Sequence, residues 1–161
     1  MRSLSSAAPW CQSGQATSMS RIDLLVLLDL IGASSPTFRT YLNPKTGDCD
    51  EFGSELSQIE DKLLRISGAR GEKFFTGECE EEDAIVDDHT PLMERGLKRA
   101  LHVISDPFPD TWHTLEDDLD HLDREAIERV NKVVRVFVAE YLQLGEPTKK
   151  LIREERANLR Y

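Results

Sequence analysis

Short apolar runs and helical stripes of apolar residues alternate along the chain. Ile22–Ile31 is a nearly continuous apolar run that Gly32 closes, which predicts a strand buried on both faces of a sheet. Residues 100–104 (Ala-Leu-His-Val-Ile) predict a second short strand. Because a strand buried on both faces needs neighbours on both sides, we expect it to belong to a larger sheet whose other strands are missing from this sequence.

Two longer segments carry apolar residues at helical spacing. Leu56, Ile59, Leu63 and Ile66 predict a helix over residues 53–66 that Gly68 and Gly71 end. A longer helix is predicted from an N-cap at Asp123 to Leu144. Its stripe consists of Ile127, Val130, Val134, Phe137 and Tyr141. Strands and helices that alternate with short connections indicate an α/β fold.

The remaining stretches lack a hydrophobic period. Residues 1–20 are rich in Ser, Ala and Gln and are expected to be an irregular N-terminal segment. Residues 36–52 and the acidic residues 72–83 are expected to be connecting loops. Residues 146–161 are dominated by Lys, Arg and Glu and are read as a charged tail. A single domain over residues 21–145 therefore lies between the two ends.

The composition of the chain argues against some classes of binding partner. The net charge is −10, which argues against binding to nucleic acid, because phosphate contacts need a basic surface. No stretch reaches the roughly 18 apolar residues that a membrane helix needs, and the N-terminus lacks the apolar core of a signal peptide. Cys11, Cys49 and Cys79 permit one disulfide, but their spacing does not assign it.

Acidic residues at two places in the sequence are candidates for a functional site. Asp29 lies inside the apolar run, where an unpaired carboxylate is costly to bury. It therefore needs a metal ion, a cation or a shared proton, unless it lies just past the strand end and caps a backbone N–H. We favour the site role, because apolar residues continue on both sides. Asp87 and Asp88 stand side by side before His89, and a buried pair of acids raises at least one pKa; the alternative is a turn before Pro91.

All four histidines lie between residues 89 and 121. Imidazoles and carboxylates suit zinc, but no two histidines have the i, i+4 spacing and there is no HExxH motif. We expect His102 and His121 to be surface residues or hydrogen-bonded core residues, and both interpretations stay open for His89. Trp112 directly precedes His113 and either places an aromatic plate beside a ligand or packs in the core.

Taken together, these motifs resemble one family, and they follow one another in unbroken order from about Ile22 to Leu144. They are the apolar run with Pro36-Thr-Phe38, residues 87–91 (Asp-Asp-His-Thr-Pro), Pro107-Phe-Pro109 with Trp112-His-Thr114, and the last helical stripe. The sequence resembles the glutaminyl-peptide cyclotransferases, also called glutaminyl cyclases. This resemblance implies a zinc-aminopeptidase-like α/β fold, here a partial mixed sheet with flanking helices. It also implies zinc-dependent conversion of the N-terminal glutamine of a peptide to pyroglutamate, with release of ammonia.

The resemblance assigns roles to individual residues. His113 would be a zinc ligand, and Asp29 and Asp87 would belong to the acidic hydrogen-bond network beside the catalytic base. The family's other two zinc ligands and its general base lie upstream of Ile22, where this sequence contains neither Asp nor Glu. We therefore expect a C-terminal portion of such an enzyme, with weak zinc binding and negligible turnover of its own.

The same resemblance describes the surroundings of the site. The pocket for the substrate's N-terminal residue would be lined by Ile85, Phe108 and Trp112, and His89 and His102 would support the site. It implies secretion or passage through the secretory pathway. Two alternatives remain: a zinc aminopeptidase, since Asp29 occupies a metal-ligand position of that class, and a non-enzymatic fragment whose acidic surface binds a partner.

Overall fold

The computed structural model describes residues 18–41, 49, 51–69, 71–80 and 85–145. Its main elements, in chain order, are β1 (Leu25–Asp29), β2 (Phe38–Tyr41), α1 (Glu51–Ser67), β3 (Phe75–Glu80), α2 (Thr90–Glu94), β4 (Ala100–Ile104) and α3 (Arg124–Tyr141). Short 3-10 helices precede β1 at Ser18–Arg21 and α3 at Leu119–His121. β1 pairs with β4, and β2 pairs with β3 in parallel. The α/β class and the strand at residues 100–104 are therefore confirmed, whereas the expected charged tail lies outside the described residues.

The chain forms two compact units. The first contains the described residues of Met1–Leu27 and of Ile85–His102, and the second those of Leu28–Ala84 and of Val103–Tyr161. In the first unit, the backbone N–H of Leu25 donates to the carbonyl of Arg99 at 3.1 Å. In the second unit, α1 and α3 contact each other, and α1 also packs on β2 and β3.

β1 is shorter and more exposed than the apolar run suggests. It covers only Leu25–Asp29 of the predicted Ile22–Ile31, and none of its residues is fully buried. The Leu28 side chain is 40% exposed. The prediction of burial on both faces is wrong for this structure, because β4 is the one strand that pairs with β1 among the described residues.

Two strands occupy segments that the sequence pattern assigned to loops. β2 falls within residues 36–52 and β3 within residues 72–83. Phe38 and Phe75 are register partners whose ring centroids lie 4.8 Å apart, and both side chains are buried. Burial of this aromatic pair outweighs the polar composition around it. A disulfide joins Cys49 to Cys79 in β3, with 6.0 Å between the Cα atoms, and so assigns the bridge that spacing left open.

α1 confirms the helix predicted for residues 53–66. Leu56 and Ile59 are buried, and the helix ends before Gly68, which adopts a φ of +67°. Gly53 faces β2 so closely that an ideal Cβ at this position would lie 1.8 Å from Thr40 Oγ1. The close approach of α1 to β2 therefore requires a residue without a side chain at position 53.

α3 begins where its N-cap was predicted. The Asp123 carboxylate accepts hydrogen bonds from the backbone N–H groups of Glu125 at 2.9 Å and Ala126 at 3.0 Å. The helix ends at Tyr141 rather than Leu144, because the chain turns away at Gln143, whose φ is +53°. Its buried face consists of Ala126, Val130, Val133, Val136, Phe137 and Ala139.

Candidate functional site

Three of the expected site residues meet in the first unit and form the group called here the Asp87 cluster: Asp87, His89 and His102. Asp87 precedes α2 and His102 lies in β4. His102 Nε2 lies 2.8 Å from Asp87 Oδ2, and both side chains are largely buried. The alternative turn before Pro91 is also present, since the Thr90 N–H donates to the Asp87 carbonyl at 2.8 Å. The expectation of a hydrogen-bonded His102 is thus confirmed.

Hydrogen bonds set the charge of Asp87. Burial alone would raise its pKa, but the Asp88 backbone N–H at 2.7 Å and the His102 ring together lower the pKa below its ordinary value. An ionised carboxylate only accepts hydrogen bonds, so His102 Nε2 is the donor. The prediction that the paired acids raise a pKa is wrong for Asp87, because Asp88 is exposed and does not share a buried site with it.

His89 completes this cluster through its ring. The centroids of the His89 and His102 rings lie 4.5 Å apart, at an interplanar angle of 45°. His89 Nδ1 is buried and has no hydrogen-bond partner among the described residues. Burial, followed by the neighbouring His102, lowers the pKa of His89, so this imidazole is neutral near pH 7.

A small cleft in the second unit, called here the Trp112 cleft, lies between the end of β1 and the loop before α3. Its volume is about 60 Å³. It is lined by Leu30, Gly32, Ala33, Pro109, Thr111, Trp112, Asp117, Asp118, His121 and Leu122. Asp29 ends β1 and is half-buried, and its Oδ1 accepts a hydrogen bond from the Leu30 N–H at 2.8 Å. This is the backbone cap that the sequence left as an alternative; a role of Asp29 in a site stays a prediction.

The aromatic residues of the expected pocket form a continuous stack beside this cleft. The Phe108 and Trp112 rings meet edge to face at 4.8 Å, and Trp112 stacks on the His113 ring at 3.8 Å. Trp112 is 40% exposed, so the alternative of ordinary core packing is wrong. His113 is exposed as well, and its φ is +59°. Ile85, also expected in the pocket, belongs to the first unit and is half-buried.

The sequence interpretation missed the pair of Asp118 and His121 in the wall of the Trp112 cleft. His121 Nδ1 lies 2.8 Å from Asp118 Oδ1. The hydrogen bond that His121 donates to Asp118 raises the pKa of His121, and the same contact lowers the pKa of Asp118. The i, i+3 spacing of an acid and a histidine was the signal available in the sequence.

The first unit contains a larger cavity of about 440 Å³ that none of the expected site residues lines. Its wall consists of Arg21, Ile22, Asp23, Lys98 and Arg99. Arg99 Nη2 pairs with Asp23 Oδ1 at 2.7 Å across this wall. Cavity size therefore does not mark the expected site.

The donor set for zinc is incomplete in the part of the chain that the structure describes. No group of three or more His, Cys, Asp and Glu side chains that could hold a metal ion is found there. Zinc sites in proteins use three or four such ligands. The described residues therefore do not fit a closed zinc centre by themselves.

Comparison with known proteins identifies the class. The chain belongs to Peptidase family M28, whose family profile matches residues 2–138. Together with the match to a solved structure described next, this confirms the zinc-aminopeptidase-like α/β fold class. None of the helices in the described residues is long and apolar enough to cross a membrane.

Within that class, the relatives are glutaminyl cyclases. The chain is 41% identical over 126 residues to the glutaminyl-peptide cyclotransferase of Bos taurus, covering 76% of this chain and 34% of that protein. It is 39% identical over 127 residues to that of Gloydius blomhoffii, covering 77% and 33%. The crystal structure of Macrostomum lignano glutaminyl cyclase matches with a TM-score of 0.70 and 27% identity, covering 83% of this chain and 45% of that one. The resemblance is confirmed, and the chain spans about a third of the length of these curated relatives.

Proposed function

We propose that this chain contributes to a glutaminyl-peptide cyclotransferase, which converts the N-terminal glutamine of a peptide to pyroglutamate. The observation that carries the proposal is the 41% identity with the Bos taurus enzyme over 126 residues. In this reaction the substrate's α-amine attacks its own γ-carboxamide carbon. The new C–N bond closes the ring, the old C–N bond breaks, and a proton passes from the amine to the departing ammonia.

In this proposal, the residues of the second unit bind the substrate. Trp112 and Phe108 offer aromatic faces that can hold the glutamine side chain folded back on its own amine, which is the positioning this intramolecular reaction needs. The half-exposed indole would also keep out the water that would otherwise give glutamate. The resemblance also gives Ile85, a half-buried residue of the first unit, a role in substrate binding.

The acids would act on proton transfer. Asp87 is held ionised by its hydrogen bonds and would act beside the base that moves the proton. The resemblance gives Asp29 a role in proton transfer as well. His102 would orient the Asp87 carboxylate through the bond at 2.8 Å. These roles are carried over from the resemblance.

Zinc enters the proposal as an ion that His113 would hold together with groups outside the described residues. Its chemistry would be to polarise the carboxamide carbonyl as a Lewis acid. Since the described residues offer no set of three ligands, we expect the 161 residues alone to bind zinc weakly and to turn over substrate negligibly.

The disulfide supports a location outside the cytosol. Structural disulfides persist in oxidising compartments, and Cys49 is joined to Cys79 here. We therefore propose the secretory pathway or the extracellular space as the place of action.

A mass-spectrometric assay on a peptide that begins with glutamine tests the function. The 161-residue chain is compared with a chimera in which residues 22–144 replace the matching segment of the Bos taurus enzyme. We expect loss of one ammonia per peptide with the chimera, and only background with the chain alone. A folded chimera without turnover would contradict the proposed function, and robust zinc-dependent turnover by the chain alone would contradict its expected inactivity.

Variants of the chimera separate the proposed roles. His113→Ala should abolish zinc-dependent turnover, and Trp112→Ala should raise KM more than it lowers kcat. Glu128→Ala changes an exposed residue of α3 that lines neither the Trp112 cleft nor the Asp87 cluster, and serves as the control.

An aminopeptidase is the second candidate, because the matching family profile is that of a peptidase family. The same assay distinguishes it, since an aminopeptidase releases the free N-terminal amino acid and leaves a shortened peptide.

A further inference from the structure

His89 occupies a helix position that its side chain does not serve. It is the N-cap residue of α2, with φ −71° and ψ −28°, and its side chain caps no backbone N–H. Ser, Thr, Asp and Asn are preferred at this position because their side chains do cap. The His89 side chain therefore does not stabilise the start of α2 by capping it.

The His89 ring contacts the ring of His102, 4.5 Å away between centroids. The backbone of His89 is fixed by the first turn of α2, since its carbonyl accepts from the N–H groups of Leu92 at 3.1 Å and Met93 at 2.9 Å. The His89 ring is thus presented to His102 from an anchored segment of backbone.

His102 needs such a neighbour to keep its orientation. The torsion that turns an imidazole about its Cβ–Cγ bond is broad, so packing has to select one orientation. The hydrogen bond from Nε2 to Asp87 Oδ2 at 2.8 Å holds one edge of the ring, while His89 packs against the ring itself. Together the two contacts leave the His102 ring little freedom to turn.

A neutral His89 suits this arrangement. Its Nδ1 is buried without a hydrogen-bond partner in the part of the chain that the structure describes. Burial is the larger cause that lowers the pKa of His89, and the adjacent His102 is the second. The titratable groups that act on it are His102 and Asp87. A protonated ring here would compete with His102 for the Asp87 carboxylate, whereas a neutral ring supplies packing alone.

We propose that His89 is a positioning residue, whose ring holds the His102 imidazole so that Nε2 faces the Asp87 carboxylate. The significance of this arrangement rests on the proposed function, in which Asp87 belongs to the network beside the catalytic base. The arrangement itself belongs to the folded chain and can be measured without turnover.

Long-range proton–nitrogen correlation NMR on the 161-residue chain tests the proposal, because the two ring-nitrogen resonances of a histidine report which nitrogen carries the proton. We expect wild-type His102 to show a fixed Nε2-protonated ring, with nuclear Overhauser contacts to the His89 ring. In His89→Ala the two His102 resonances should converge as the tautomers average, whereas His89→Phe, which keeps a ring, should restore the wild-type pattern. His121→Ala should leave His102 unchanged.

An unchanged His102 pattern in folded His89→Ala would overturn the proposal, as would failure of His89→Phe to restore the pattern. If His89→Ala does not fold, absence of the ring-to-ring contact in the wild-type chain overturns it equally. These outcomes are independent of ammonia release by the chimera, so the inference and the proposed function can fail separately.

Discussion

The Arg129 guanidinium on α3 donates through Nε to the carboxylate of Glu60 on α1 at 2.8 Å. Glu60 is 1% exposed and also accepts from the backbone N–H groups of Phe74, at 3.0 Å, and Phe75, at 2.9 Å. Arg129 lies 3.9 Å over the Phe74 ring as well. One buried acid therefore joins α1, α3 and the beginning of β3.

Removal of Arg129 should be strongly destabilising. Arg129→Met leaves the Glu60 charge buried without its cation, which costs about 3–5 kcal/mol of unfolding free energy. Arg135→Met on the same helix replaces an exposed arginine, and should cost less than about 0.5 kcal/mol. Urea unfolding followed by circular dichroism measures both, and equal losses in the two variants would contradict the role given to Glu60.

The N-cap of α3 should contribute measurably to the free energy of unfolding. Asp123→Ala removes the acceptor for two helical N–H groups and is expected to cost about 1 kcal/mol. Asp123→Asn keeps a capping oxygen and should stay near the wild type. Asp110→Ala removes the same charge from an exposed loop position and controls for electrostatics. If Asn and Ala at position 123 have the same midpoint in urea, the cap is not what stabilises this helix start.

His121 should titrate above the ordinary histidine range. Its pKa is raised by the hydrogen bond that it donates to the Asp118 carboxylate, and both side chains are exposed. A raised folded-state pKa means that the stabilisation is fully present below about pH 6.5, the unfolded value, and is lost as pH rises through the folded value.

NMR titration of the His121 ring protons checks this. Asp118→Asn should bring the midpoint back toward about 6.5, the value of an unperturbed histidine. Glu116→Gln removes a charge that acts only at longer range, so it should move the midpoint less. A His121 midpoint that is the same in Asp118→Asn as in the wild type would contradict the pairing of Asp118 with His121.

Reduction of the disulfide should loosen β3. The bridge closes a loop with a sequence separation of 30, for which chain entropy gives about 3–4 kcal/mol. A reductant should therefore lower the urea midpoint of the wild-type chain and leave the variant Cys49→Ser/Cys79→Ser unchanged. Peptide mapping after alkylation should find Cys49 and Cys79 unlabelled until the reductant is added; labelling without it would rule out the bridge.

The sequence predicted the elements whose signals are local. The Asp123 cap, the stripe of α1 and the apolar residues of β4 each lie within a few neighbouring positions, and all three elements form. β3 was missed because its support is distant in sequence: the Glu60 carboxylate binds the N–H groups where the strand begins, and Cys49 is bonded to it further along. Neither contact leaves a pattern in Phe-Thr-Gly-Glu-Cys-Glu itself.

The same difference between local signals and distant contacts decides which features of the candidate site could be predicted. The sequence brought out Asp87, His102 and Trp112 through motifs, but it placed the Asp87–Asp88 pair in a buried setting that would raise a pKa. The structure exposes Asp88 and gives Asp87 hydrogen bonds that lower its pKa instead. Burial of a single carboxylate depends on tertiary packing, which cannot be predicted from two adjacent acidic residues in the sequence.

The close approach of α1 to β2 restricts what evolution or a mutagenesis library can place at residue 53. Even alanine would place its Cβ 1.8 Å from Thr40 Oγ1, far closer than van der Waals contact allows. At Gly71 the nearest atom to such a Cβ is the end of Arg129, 3.7 Å away, which is ordinary packing distance. A deep mutational scan for folded chains should thus return glycine alone at one of these positions and a broad spectrum of amino acids at the other.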